Sequence, residues 1–154
     1  MENRITKTGP NGLGLITKWE GLKLIPYLCS AKVATIGFGS TYYENGTRVT
    51  MNDAPITKER ALELFKNTLS TYERGVDSFT VDTINQNQFD ALTSFAYNLG
   101  TQALKGSTLL KKVNNNPNDP TIANEFAKWT RAGGVVLKGL VSRRKAEAEL
   151  YFKK

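Results

Sequence analysis

The chain has 154 residues, of which 40% are hydrophobic, and 21 Lys and Arg against 14 Asp and Glu give a formal net charge of +7. That length suits one domain able to bury about two-thirds of its unfolded surface, and the composition is too apolar for a disordered chain. The absence of histidine excludes a Ser-His-Asp triad, a Cys-His hydrolase and the usual histidine-bearing zinc site.

In chain order, Leu13, Ile16 and Trp19 recur at three-residue spacing and predict a short amphipathic helix over 11–19. Gly21 is its expected stop, which places Glu20 at the helix's carboxyl-terminal end. The dipole there disfavours a second negative charge. "VATIGFGST" then alternates with period two: Ile36 and Phe38 share one face, and Thr35, Gly37 and Gly39 form a nearly bare opposite face. Asn45-Gly46 is a strong hairpin signal, so a small antiparallel sheet is expected from about residue 31 to 51.

Thr57 is a suitable cap for a long helix in which Leu62, Phe65, Leu69, Tyr72 and Val76 step by three and four residues. "NQNQFDALTSFAYNLG" reads as a helix stopped by Gly100, and "STLLKKVNNN" as one opened by Ser107. "DPTIANEFAKW", with Pro120 suited to a first turn, precedes a break at Gly133-Gly134 and a last helix in "SRRKAEAELYF". One helix, a small sheet, a long helix and several further helices make an α+β chain with segregated layers rather than alternating βαβ units. No internal repeat or long linker divides it. A cleft between a small sheet lobe and a larger helical lobe would place Glu20 and the bare strand face on one opening.

No apolar run is long enough to span a bilayer, and the amino terminus lacks an apolar core of signal-peptide length. The expected location is therefore the cytoplasm. Cys29 is the only cysteine and makes no internal disulfide. Positive charge draws the protein toward polyanions, but the basic residues are spread along the chain and thicken only at Arg143–Lys145 and the terminal lysines. The "GFG" of Gly37–Gly39 has no third glycine opening a helix and is not a nucleotide-phosphate loop.

Glu20, Cys29 and Thr35 follow one another as E-x8-C-x5-T, a carboxyl at a helix end, a thiol at a turn and a hydroxyl among glycines. Each has a bland alternative: a surface glutamate, an inert thiol, and a threonine chosen for strand propensity. Together, a neutral carboxylic acid facing a second group across a cleft suits glycosidic cleavage, which requires neither metal nor histidine.

The order "WEGLKLIPYLCSAKVATIGFGST", "QFDALTSFAYNLG", "STLLKKVN", "EFAKW", "AGG" and "GLVSRRKAEAEL" resembles the phage-type lysozymes of glycoside hydrolase family 24, over about residues 11–152. The resemblance implies a single two-lobed lysozyme domain: a sheet lobe over about 21–56, a connecting helix over about 57–77 and a helical lobe over about 78–154 with the first helix. It implies hydrolysis of the β-1,4 bond between N-acetylmuramic acid and N-acetylglucosamine, with Glu20 as general acid and Cys29 and Thr35 activating or positioning water. Cys29 stands where many members carry aspartate, and its role as base, nucleophile or polar stabiliser stays open, with activation of water favoured. Ser40 stands where many continue with histidine. Tyr97 matches an aromatic lining the family's cleft, and Arg143 or Arg144 a region supplying an arginine near the acid. No cofactor or metal is implied. The expected partners are the peptidoglycan substrate and, functionally, a holin-like pore, with no nucleic acid and no integral membrane contact. The protein is expected to be a monomer that collects in the host cytoplasm and reaches the periplasm or cell wall once the membrane is breached. A lytic transglycosylase, a basic nucleic-acid-binding module and a wall-binding protein that has lost catalysis are the alternatives.

Overall fold

The computed structural model describes residues 5–154. Among these the order is α1 (Pro10–Glu20), β1 (Lys23–Leu28), β2 (Ala34–Gly37), α2 (Lys58–Phe79), α3 (Gln86–Leu99), α4 (Thr101–Lys105), α5 (Thr108–Asn115), α6 (Ile122–Ala127), β3 (Arg131–Ala132), β4 (Val135–Val136) and α7 (Lys138–Tyr151). Helices therefore dominate, with two small antiparallel sheets, as the α+β reading requires. The chain divides into two compact units: Thr17–Thr71, and the chain up to Ile16 together with Tyr72–Lys154.

The unit of Thr17–Thr71 holds the sheet of β1 and β2, paired antiparallel with Tyr27 opposite Thr35 and Leu28 opposite Ala34. Strand β1 lies outside the sheet expected over 31–51. Its sequence "KLIPYL" hides it, because Pro26 cannot donate a ladder hydrogen bond and belongs in a strand only at an edge or bulge. The register does shift between Lys23 and Tyr27. The Asn45-Gly46 turn forms as expected, with Gly46 at φ +85° and its N–H donating to the Tyr43 carbonyl at 3.0 Å. Beyond it, however, only an isolated bridge joins Tyr42 and Arg48. Ile36, Val49 and Leu64 form the unit's buried cluster, and Phe38 packs on Phe65 with ring centroids 5.6 Å apart. Thr57 caps α2 by accepting the Arg60 N–H at 3.1 Å.

The helical unit is built around α3, whose residues 88–96 are all buried. Gly100 ends it as expected, at φ +96°, and its start is held by a reciprocal capping box of Asn85 and Gln88 that the sequence reading did not name. Phe95 meets Phe126 and Trp129 edge-on at 5.9 and 5.4 Å, and Phe126 meets Tyr151 at 5.8 Å. Full burial of each such side chain contributes about 1.5–3 kcal/mol, so this aromatic set anchors α3, α6 and α7 together. Ser107 caps α5 through the Leu110 N–H at 3.0 Å. Gly133 and Gly134, expected only as a break, have φ of +59° and +81° and form the two-residue turn of the β3–β4 hairpin.

The start of α1 is set from a distance. Asp90 of α3 accepts the N–H groups of Gly9 and Gly12, each at 3.0 Å, doing the work of a capping side chain for a helix that has none of its own. A Cβ on Gly12 would lie 2.5 Å from Thr8 Cγ2 and 2.6 Å from Asp90 Cβ, so only glycine fits there.

Candidate functional site

Glu20, Cys29 and Thr35 all fall within the unit of Thr17–Thr71. Glu20 is the last residue of α1, and the chain turns at once because Gly21 takes φ +71° while its N–H bonds the Thr17 carbonyl at 3.0 Å. From there β1 runs out and ends one residue before Cys29.

A tight turn holds Cys29: its N–H donates to the Val33 carbonyl at 3.1 Å, and the Lys32 N–H donates back to the Cys29 carbonyl at 2.8 Å. Lys32 adopts φ +61°, the only positive value outside glycine among the described residues. The turn aims backbone N–H groups at the sulfur. The Cys29 thiol is accordingly held below its ordinary value, chiefly by the Val33 N–H, with the Ala31 N–H and the Thr35 hydroxyl adding to the effect and burial opposing it.

Thr35 is 2% exposed, so the strand face expected to be bare is covered at this position. Its hydroxyl donates to the Val33 carbonyl at 2.8 Å. A hydroxyl carries one proton, so that donation serves the neutral thiol state, whereas a thiolate draws the same proton toward sulfur. The space expected beside the glycines is likewise filled at Gly37, where a Cβ would stand 3.4 Å from the Ala61 Cβ of α2. That is ordinary contact distance, so what calls for glycine at this position is its φ of +69°. Ser40 is fully buried, its hydroxyl 2.9 Å from that of Thr68, and so belongs to the unit's interior.

One residue was missed in the sequence. Tyr27 lies opposite Thr35 in the ladder, and its phenol is pushed up by burial first, then by the negative charges of Glu20 and Cys29. A phenol that senses both groups ties the helix end, the turn and the strand into one electrostatic neighbourhood, and it stays protonated as a hydrogen-bond donor. Recognising β1 would have found it, since Tyr27 then falls across from Thr35.

The other named residues lie in the helical unit. Tyr97 stacks on Tyr72 with centroids 4.9 Å apart at 52°. Arg143 and Arg144 are both buried against Glu147: Arg143 Nε is 3.4 Å from Glu147 Oε2, and Arg144 Nε is 2.8 Å from Oε1. The Ser94 hydroxyl donates to Glu147 at 2.6 Å, and Arg144 donates to the Asn98 side chain at 2.6 Å. Burial pushes the Glu147 carboxyl up, and the two guanidinium groups and Ser94 pull it back. This network braces α7 on α3. No helix among the described residues is long and apolar enough to cross a membrane.

Comparison with known proteins places these features in context. The family model described as phage lysozyme matches residues 17–147. The chain is 40% identical over 142 residues to an endolysin of Bacillus phage B103, covering 91% of this chain and 52% of that protein, so it spans about half the length of that relative. It is 37% identical over 123 residues to an endolysin of Salmonella phage P22, covering 80% of this chain and 83% of the relative. Among solved structures it is similar to an endolysin from Escherichia coli O157:H7 phage FAHEc1, with a TM-score of 0.88, 31% identity, and coverage of 99% of this chain and 96% of that one.

Proposed function

The chain belongs to the phage lysozyme family, and from that premise we propose that it is an endolysin cleaving the glycosidic bond between N-acetylmuramic acid and N-acetylglucosamine in peptidoglycan. Glu20 protonates the leaving glycosidic oxygen. Cys29, as thiolate, takes a proton from water as that water attacks the anomeric carbon, and Thr35 helps position the water. Glycosidic bond and water become two hydroxyl groups; the proton taken up by Cys29 returns to Glu20 through solvent.

The chemistry needs the thiol ionised while the carboxyl is still neutral, opposite to the order in which a free thiol and a free carboxyl lose their protons. The donors gathered on Cys29 by the Ala31–Val33 turn favour this ordering. The observation that carries the reading is the Cys29 turn, whose backbone N–H groups, with the Thr35 hydroxyl, favour the thiolate. Tyr97 is proposed as a substrate-lining aromatic. Action on the wall would follow release from the host cytoplasm through a holin-like pore.

The test is turbidity loss on purified peptidoglycan with mass analysis of the fragments. Reducing-end muramic acid products are expected, with Glu20→Gln inactive yet folded. Anhydro-sugar products would instead assign a lytic transglycosylase, and a fully active Glu20→Gln protein would remove Glu20 from the reaction.

A further inference from the structure

Among the described residues of the helical unit, the five exposed large hydrophobics lie between Val135 and Phe152: Val135 is 61% exposed, Val136 48%, Leu137 44%, Val141 44% and Phe152 38%. Elsewhere the described large apolar side chains of this unit are buried or partly buried. The hairpin is also tied to the groove beside α7. The Leu137 N–H bonds the Thr130 carbonyl at 3.0 Å, which joins the base of the β3–β4 hairpin to Thr130. Thr130 in turn lines a groove of about 640 Å³ with Ala123 and Ala127 of α6 and with Val141, Ala148 and Phe152. Along α7, Lys138, Val141, Lys145, Ala148 and Phe152 step by three and four residues and so share one side of the helix. The groove is therefore bordered by an apolar stripe with lysines set into it.

The charge of this carboxyl-terminal segment has one dominant sign, although Glu149 lines the groove beside Lys145. From Arg131 onward the exposed ionisable side chains are Arg131, Lys138, Lys145, Lys153 and Lys154 against a single acid, Glu149. Exposed valines at a hairpin tip, an apolar groove and a surplus of cations together match a surface that is anionic outside and hydrocarbon just beneath.

We propose that the β3–β4 hairpin and the outer side of α7 dock peripherally on a bilayer surface rich in anionic lipid. Val135 and Val136 enter the headgroup–acyl boundary, and Lys138 and Lys145 meet lipid phosphates. A second copy of the chain fits less well, because a self-complementary pairing would bring the lysines of both copies together. An anionic wall polymer would satisfy the cations but offers no apolar phase for the valines.

The proposal is separable from the hydrolytic reading, because it is tested by sedimentation with vesicles in a Glu20→Gln background. Vesicles of phosphatidylglycerol with phosphatidylethanolamine are compared with pure phosphatidylcholine. Strong binding is expected to the first and little to the second. K138Q/K145Q should weaken it about 30-fold, from about 1 kcal/mol for each basic residue near an anionic surface. V135S/V136S should weaken it at least about tenfold, and Val136→Trp should strengthen it. The same substitutions in the otherwise unaltered chain should preserve thermal melting and hydrolysis of a short neutral chitooligosaccharide. Absence of vesicle binding would overturn the proposal. So would binding indifferent to the valines, which would mean adsorption by charge alone, as would a lipid-free dimer abolished by V135S/V136S.

Discussion

At the level of single residues, Cys29 is what most sets the proposed site apart from one built on two carboxyls. Its thiol is lowered by N–H groups that the Ala31–Val33 turn supplies and by the Thr35 hydroxyl. A Cys29→Asp variant should retain activity, whereas Cys29→Ser should lose most of it, since a serine hydroxyl does not ionise in the working range. In the pH profile of wall clearing, the acidic limb should lie below the ordinary thiol value of about 8.5. Thr35→Ala removes one donor and should move that limb upward, and Cys29→Asp should move it several units downward. A limb identical in all three proteins would show that the thiol does not titrate in catalysis. The sequence named Cys29 and Thr35, but nothing local to either one disclosed Tyr27. Its relation to them runs across the strand ladder through a segment that Pro26 disguises.

Two contacts at the level of elements set stability in ways that differ in range. The first is the start of α1, held by Asp90 through Gly9 and Gly12. Gly12→Ala would drive a methyl group into Thr8 and Asp90, and overpacking of this kind should destabilise the protein by about 1–3 kcal/mol, read as a lower urea midpoint. Gly14, with open space at its Cβ position, is the control, and Gly14→Ala should be neutral or stabilising. The second contact is the two-pronged pair between Glu44, beside the Asn45-Gly46 turn, and Arg60 of α2, at 2.6 and 2.7 Å. Arg60 holds the Glu44 carboxyl down to about 2. A depressed carboxyl contributes stability that is fully present above its unfolded value near 4.5 and is lost as pH falls through about 2. Glu44→Gln should thus cost up to about 1 kcal/mol at neutral pH, because the pair is half exposed, and should cost nothing near pH 2. Thermal melting at the two pH values checks this.

On the scale of the whole molecule, the charge of +7 acts at long range. Clearing of anionic walls should slow as salt rises from about 0.02 to about 0.3 M, because the Debye length falls toward the spacing of surface charges. Hydrolysis of a short neutral chitooligosaccharide should be insensitive over that range, and equal salt sensitivity for both substrates would locate the effect in the catalytic step. Among the described residues, what the sequence by itself determined is what depends on near neighbours along the chain. The Thr57 and Ser107 caps, the Gly21 and Gly100 stops, the long period of α2 and the Asn45-Gly46 turn were all legible, because capping and helical periodicity act within about four residues. Tertiary structure alone decided that "KLIPYL" pairs with "ATIG", that Gly37 lies beside Ala61, that Asp90 caps a helix 78 positions away, and that Arg144 and Glu147 are buried as partners. In each of those cases the favourable term is a contact with a group distant in sequence, and no local pattern encodes which distant group will arrive.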